Sequence, residues 1–138
     1  MITVRTANWQ TEADALLAIR RTVFIIEQNV PESLEVDGED ERCHHLLACV
    51  EGENIGTARM MPDGHIGRVA VLKEHRRKGV GSAILQHFIG QARALALSCV
   101  DLNGQTDALP FYEKLGFVPE GEVFMEAGIP HRKLVLRF

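Results

Sequence analysis

The junction between a buried strand and a long helix constrains this chain more than any other feature of its sequence. An apolar run that ends at Leu72 is followed by a basic loop, then by Gly79 and Gly81, and then by a helical pattern. Backbone N–H groups at such a junction point outward and meet the positive end of the helix dipole, so they favour an anion. The two glycines carry no side chains, so a pyrophosphate can approach the backbone closely.

The charges around this junction favour the same kind of ligand. Between Arg68 and Lys78 there are five bases and one acid, a local charge of +4 in a chain whose formal net charge is −4. The pattern is neither a P-loop, which needs G-x-x-x-x-G-K-[ST], nor the dinucleotide fingerprint G-x-G-x-x-G. A solvated basic helix start with glycines used for turns is the alternative interpretation of the bare pattern.

Composition and length restrict the class of protein. The 138 residues, 46% of them hydrophobic and 25% charged, fit one globular domain that can bury its own core. No apolar run reaches the ~20 residues of a membrane span and no secretory leader is visible, so we expect no membrane partner. The acidic net charge argues against a nucleic-acid partner. The odd number of cysteines (Cys43, Cys49 and Cys99) and the absence of C-x-x-C indicate reduced thiols in the cytoplasm.

Hydrophobic periodicity predicts strands that alternate with helices. A strand at Ile2–Thr6 precedes a helix capped by Thr11, and Glu27–Arg42 is predicted as a loop with one short helical turn. Further strands are predicted at His44–Val50, Ile55–Met61, His65–Leu72, Cys99–Asn103, Phe117–Glu126 and His131–Arg137, and further helices at Gly79–Leu97 and Thr106–Leu115. The order β-α-loop-β-β-β-α-β-α-β-β is typical of an α/β or α+β sheet covered by helices.

A second motif, Phe111-Tyr112-Glu113-Lys114-Leu115-Gly116-Phe117, follows the glycines. With Arg76-Arg77-Lys78-Gly79-Val80-Gly81, it resembles the GCN5-related N-acetyltransferase (GNAT) superfamily, whose acetyl-CoA loop is [QR]-x-x-G-x-[GA] and whose helix is F-Y-x-x-L-G-F. Further segments resemble the small bacterial ElaA/YjcF-like branch: Val23–Gln28, Glu35–Asp37, His44–His45 and Gly128–His131. The resemblance implies one N-acetyltransferase domain over residues 1–138. It also implies a GNAT fold, a mixed, mostly antiparallel sheet of six to seven strands, splayed in the middle and flanked by about four helices.

The resemblance also implies acetyl-CoA as co-substrate and assigns residues to it. Val69, Ala70 and Val71 match the strand that pairs with pantetheine and supplies an oxyanion donor. The loop of Arg76, Arg77, Lys78, Gly79, Val80, Gly81 and Ser82 matches the segment that holds the pyrophosphate. Gln105 stands where many members carry an Asn that contacts the cofactor arm. Tyr112, the single tyrosine of the chain, matches the general acid that protonates the departing thiolate.

The chemistry implied is direct attack of an amine on the thioester in a ternary complex. An ammonium has a pKa near ~10, so a base or a water chain must first remove a proton. Four residues are candidates for this base, and an ordinary polar role is the alternative for each: Glu27, Glu35, His45 and His65. The nearby Cys43, His44, His45 and Cys49 match no zinc spacing, so we expect no metal.

In this family the segment after the first helix lines the acceptor side of the cleft. Here that segment, Glu27–Arg42, carries seven acids and one base, which predicts a preference for an amine with more than one positive charge, small molecule or peptide. A solvated acidic loop is the alternative. The sequence is therefore compatible with two functions, an N-acetyltransferase for a primary amine and a non-catalytic CoA-binding sensor or regulatory module. The identity of the amine stays open, as does a homodimer, a state common in the family.

Overall fold

In a computed structural model that describes residues 1–138 apart from the side chain of Leu34, seven strands and four α-helices follow one another in the predicted order. The strands are β1 (Ile2–Ala7), β2 (His44–Val50), β3 (Glu53–Met60), β4 (Ile66–Val71), β5 (Cys99–Gln105), β6 (Val118–Glu126) and β7 (Ile129–Arg137). The helices are α1 (Trp9–Arg20), α2 (Glu32–Glu35), α3 (Val80–Ala94) and α4 (Leu109–Lys114).

The first helix differs from the prediction at its start, and its last turns have an unusual geometry. Asn8, rather than Thr11, is its N-cap, and the Asn8 Oδ1 accepts a hydrogen bond from the Gln10 N–H at 2.8 Å. Asn and Thr are both common capping residues, so the sequence did not distinguish them. At its other end α1 continues as a π-helix, Arg21–Glu27. Such wide turns are rare and concentrate at functional sites.

The strands form two antiparallel sheets that meet at one point. The first sheet has the order β1-β2-β3-β4 and the second the order β5-β7-β6. Within the described residues the two sheets share a single bridge, the parallel pair His65–Asp101. From that pair onward β4 and β5 diverge, which leaves a V-shaped opening between them. The predicted sheet splayed in its middle is therefore confirmed.

A β-bulge in β4 lies beside this opening. Gly67 is paired with Arg59 and Ala70 with Thr57 on β3, so both Arg68 and Val69 lie opposite one residue of β3. Arg68 adopts a φ of 52°, which is uncommon for a residue with a side chain. Because a bulge leaves a residue unpaired, the backbone at 68–69 departs from regular pairing with β3.

Helices cover both faces of the first sheet. Successive residues of β2 point to opposite faces, and accordingly Leu46 packs in the core under α3 while Leu47 packs against α1. The apolar face of α3 is buried from Val80 to Ala92, and Leu95, which follows the last residue of α3, Ala94, is 48% exposed. Among the described residues, no helix combines the length and apolarity needed to cross a membrane.

Candidate functional site

A cavity of about 550 Å³ occupies the opening between β4 and β5. Its walls are the end of the first helix with the loop that follows, β4, β5 with α4, and the turn between β6 and β7. A volume of this size suits a small organic ligand. The lining residues that matter most for chemistry are Glu35, His65, Val69, Gln105, Tyr112 and His131.

The N-terminus of α3 is open to an anion. Gly79 is its N-cap, with a left-handed φ of 86°, and no side chain caps the helix. The Ala83 N–H donates to the Gly79 carbonyl at 3.0 Å. The three N–H groups before it, at residues 80–82, have no partner within the helix, as at any helix start. These groups and the helix dipole together make a phosphate-binding environment.

The two glycines of this loop, Gly79 and Gly81, differ in whether the backbone conformation requires glycine. Gly79 requires a positive φ, which residues with side chains rarely adopt. Gly81 has no such requirement, and a Cβ added there would lie 3.6 Å from the Phe111 ring, an ordinary contact distance. The protein's own packing therefore does not require glycine at position 81, whereas close approach of a ligand to the backbone would.

Arg76 is engaged within the protein. Its guanidinium donates to both carboxylate oxygens of Glu27, at 2.5 and 2.7 Å, and its Nε donates to the Val71 carbonyl at 2.9 Å. These hydrogen bonds raise the pKa of Arg76 and lower the pKa of Glu27. Arg76 thus ties the loop to β4 and to the end of the first helix. The exposed Arg77 and Lys78 carry the positive charge beside the helix start.

Three arginines and three acids alternate in one network: Arg20, Arg59 and Arg68 with Glu35, Asp37 and Asp40. Arg20 is 1% exposed and contacts Glu35 at 2.6 Å and Asp40 at 2.8 Å. Arg68 reaches from the β4 bulge to Glu35 at 3.0 Å. This network holds α2 and the segment after it over the face of the first sheet.

The network neutralises the acidic segment that the sequence analysis singled out. The hydrogen bond from Arg59 holds the pKa of Asp37 well below its usual range. Burial alone would raise the pKa of Asp40, but hydrogen bonds from Arg20 and Arg59 outweigh burial and lower it. The remaining ion pairs of the segment are Glu27–Arg76, Glu32–Arg21 and Glu39–Arg42. Six of its seven acids are therefore paired with arginine, so most of the negative charge of the segment is compensated within the protein.

The four candidate bases lie in different surroundings. Glu27 and Glu35 are held by arginines, as described above. His45 is 2% exposed, its Nε2 lies 2.8 Å from the Asp40 carbonyl, and burial lowers its pKa. It stacks on Trp9 at 5.0 Å and does not line the cavity. His65 does line the cavity, and its Nδ1 lies 2.5 Å from Asp101 Oδ1, where the two sheets meet.

Helix α4 positions Tyr112 against β5. The tyrosine ring covers Gly104 so closely that a Cβ on Gly104 would lie 2.6 Å from it. Phe111 and Phe117 pack edge-on at 5.1 and 6.2 Å between ring centroids. Burial raises the pKa of Tyr112. The hydroxyl is therefore protonated at neutral pH, and Tyr112 is among the residues that line the cavity.

The cavity also contains a pair that the sequence analysis did not assign, His131 and Glu126. His131 Nδ1 lies 2.7 Å from the Ile129 carbonyl, and His131 Nε2 lies 3.4 Å from Glu126 Oε2. In the sequence, the Gly128–His131 motif indicates only the branch of the family. Its role depends on the register that pairs His131 with Gln105, which no local pattern in the sequence reveals.

Comparison with known proteins establishes the family. The sequence-family model of the acetyltransferase (GNAT) domain matches residues 9–138 of this chain, so the chain belongs to the GNAT family of acetyltransferases. It is 41% identical over 129 residues to the uncharacterised protein YyaT of Bacillus subtilis (strain 168), covering 88% of this chain and 87% of YyaT. It is 37% identical over 121 residues to the uncharacterised N-acetyltransferase YjcF of the same organism, covering 85% and 86%. The crystal structure of Escherichia coli ElaA has a TM-score of 0.87 at 29% identity, covering 99% of this chain and all of that one (100%).

These relatives confirm the predicted fold and the ElaA/YjcF-like branch. The protein is an acyl-CoA-dependent acetyltransferase, a class that uses acetyl-CoA, and the enzyme is favoured over the CoA sensor. Among the described side chains, no group of three or more His, Cys, Asp and Glu residues is arranged to hold a metal ion.

Proposed function

We propose that this protein transfers the acetyl group of acetyl-CoA directly to a primary amine in a ternary complex, with residues 1–138 acting as one N-acetyltransferase domain. One observation carries the proposal. The uncapped start of α3, whose Gly81 the packing does not require, lies beside Phe111 of α4, and the next residue of α4 is the protonated Tyr112, which lines the cavity between the diverging strands. An anion site next to a cavity that holds a proton donor suits a phosphorylated thioester substrate.

In the proposed complex the pyrophosphate binds at the start of α3. It accepts hydrogen bonds from the N–H groups of Val80, Gly81 and Ser82, while Arg77 and Lys78 supply positive charge. The pantetheine arm runs along Val69–Val71 from the bulge onward, and the bulge has freed the β4 backbone at 68–69 from regular pairing. Arg76 and Gly79 shape the loop from within, and Gln105 contacts the arm from β5.

The transfer needs an oxyanion donor and an acid. A backbone N–H of the Val69–Val71 segment stabilises the negative charge on the thioester oxygen during attack. The Tyr112 hydroxyl protonates the departing thiolate. None of Cys43, Cys49 and Cys99 is among the described residues that line the cavity. This favours direct transfer over a route through an acyl-cysteine.

The acceptor enters between the end of the first helix and the β6–β7 turn. The expected preference for a polycation depended on unpaired acids in Glu27–Arg42, and the ion pairs of that segment remove its basis. The cavity wall there includes apolar Phe24, Val30 and Ile129. We therefore propose an acceptor with a primary amine on a partly apolar body, small molecule or peptide. The free thiols fit action in the cytoplasm.

A panel of amines incubated with acetyl-CoA tests this function through release of free CoA thiol. The panel should contain a polyamine, an aromatic monoamine, an amino sugar and a lysine peptide, with an amine-free reaction as the control. Amine-dependent thiol release that Tyr112→Phe reduces would support the proposal. Tight binding of acetyl-CoA without thiol release for any amine would contradict it and favour a sensor.

A further inference from the structure

We propose that His131 is the general base that removes a proton from the acceptor amine, and that Glu126 stabilises the protonated imidazole. The inference deepens the proposed function and depends on it. Its basis is the geometry of one buried imidazole in the cavity, with a carbonyl at one ring nitrogen and a carboxylate at the other.

The hydrogen bonds of His131 determine which ring nitrogen is free. Nδ1 lies 2.7 Å from the Ile129 carbonyl oxygen, which can only accept, so Nδ1 carries the hydrogen of the neutral ring. Nε2 then holds the lone pair and can take a proton. Once protonated, Nε2 has the Glu126 carboxylate 3.4 Å away. The site is thus arranged to accept a proton and to stabilise the resulting charge.

The surroundings hold the ring in place without closing it off from the acceptor. His131 is 7% exposed and stacks on Phe124, with ring centroids 6.0 Å apart. The side chain of Glu126 is 52% exposed, at the turn where we propose that the acceptor enters. An amine that reaches this turn meets the carboxylate first and the imidazole next.

The register of the strands separates His131 from the other histidine of the cavity. His65 and Asp101 form the parallel bridge, and four residues further along these strands lie Val69 and Gln105. His131 is paired directly with Gln105. Measured along the strands, His131 therefore lies at the same height as the bulge in β4 and as Gly104, which the Tyr112 ring covers. Since a strand rises about 3.3 Å per residue, the backbone of His65 is about 13 Å from that level.

Among the charged groups around His131, Glu126 is the one whose carboxylate lies next to the imidazole. Across the strand pair, β5 presents the uncharged Gln105, and the turn after β5 carries Asp107. The next residue of β7, Arg132, donates to the Gly121 carbonyl at 2.7 Å. The other titratable or charged residues that line the cavity are Glu35, His65, Arg68 and Tyr112. Of these, Glu35 and Arg68 pair with each other.

The proposed step balances in protons and bonds. His131 Nε2 takes one proton from the ammonium, and the neutral amine nitrogen forms a bond to the acetyl carbon. The carbon–sulfur bond then breaks, and the thiolate takes the Tyr112 proton. The second proton of the new amide nitrogen restores the tyrosine, and His131 releases its proton to solvent. The net products are the acetamide, CoA thiol and one proton for each ammonium consumed.

The test measures kcat/KM from pH 6 to 10 for the panel amine that the wild type acetylates fastest. His131→Gln should lose about 10²- to 10⁴-fold near pH 7, the usual share of a general base. The loss should shrink as pH approaches the pKa of the amine, since the substrate then arrives neutral. A merely structural role would give a loss independent of pH. Imidazole added to His131→Ala should restore part of the rate.

Matched variants separate the alternatives. Glu126→Gln should lower the rate less than His131→Gln, and His44→Gln, a histidine outside the cavity, should leave it unchanged. Wild-type affinity for acetyl-CoA in His131→Gln would show that the fold is intact. Full activity in His131→Gln, or the pH-dependent loss in His65→Gln instead, would overturn the assignment but leave the acetyltransferase function. No turnover of any amine by the wild type would overturn both.

Discussion

Replacing Gly81 by Ala should stabilise the protein and weaken its binding of acetyl-CoA. The added Cβ would lie 3.6 Å from Phe111, with no positive φ to strain it. The substitution is therefore compatible with the folded chain. The methyl group would, however, project at the helix start where we propose that the pyrophosphate approaches the backbone.

The two effects have opposite signs and separate magnitudes. Alanine in place of glycine in a helix gains about 0.5–1 kcal/mol of stability, which corresponds to a rise of about 2–4 °C in Tm for a chain of this size. A phosphate that loses one hydrogen bond from a backbone N–H loses about 1.5–3 kcal/mol, the usual value for a charged group. The expected Kd for acetyl-CoA is therefore about 10- to 150-fold higher.

Calorimetric titration of acetyl-CoA and thermal unfolding measure the two effects on the same samples. Gly90→Ala is the matched control, because Gly90 lies in the same helix, is exposed and has nothing within 4 Å of its added Cβ. It should raise Tm by a similar amount without changing Kd. Unchanged affinity in a stabilised Gly81→Ala variant would refute the pyrophosphate site, and a fall in Tm would refute the packing argument.

Three further predictions concern the acid, the ion network and its pH dependence. Tyr112→Phe should lower kcat by about 10- to 1,000-fold, with Kd for acetyl-CoA within about twofold of wild type because the ring still fills the same space; unchanged kcat would make Tyr112 a packing residue. Asp40→Asn should lower the free energy of unfolding, measured with urea, by about 3–5 kcal/mol, because Arg20 and Arg59 would lose a negatively charged partner in a buried network. A decrease below about 1 kcal/mol, typical of a surface pair, would contradict the account. Because the pKa values of Asp37 and Asp40 are lowered in the folded state, the two carboxylates stabilise the fold at pH values above their unfolded pKa near ~4. This stabilisation is lost as the pH falls from there through the folded pKa values. The urea midpoint should therefore fall steeply below about pH 4, and less steeply in Asp37→Asn.

The sequence predicted the parts of the molecule that local rules determine. Chain periodicity gives the order of strands and helices, and β2 begins and ends at the predicted residues, His44 and Val50. The glycine loop and the helix of Tyr112 are contiguous motifs, so their positions follow from spacing alone. These local signals were enough to indicate the superfamily.

Long-range pairing accounts for what the sequence did not predict. The acidic segment looked like a free surface because its partners Arg59 and Arg68 come from other elements, β3 and β4. Even the nearer of the acids that pair with Arg59, Asp40, is 19 residues away from it along the chain. Likewise, His131 becomes a candidate base only when β7 pairs with β5 and brings it beside Gln105. The choice of Asn8 over Thr11 as helix cap was a local ambiguity between two suitable residues.

The most direct test of the central claim is an initial-rate study that varies acetyl-CoA and the acceptor amine together. Direct transfer in a ternary complex predicts double-reciprocal lines that intersect, and an enzyme that keeps its unmodified mass after incubation with acetyl-CoA alone. Parallel lines, together with an acetylated form of the protein in the absence of amine, would contradict direct transfer and indicate a covalent intermediate.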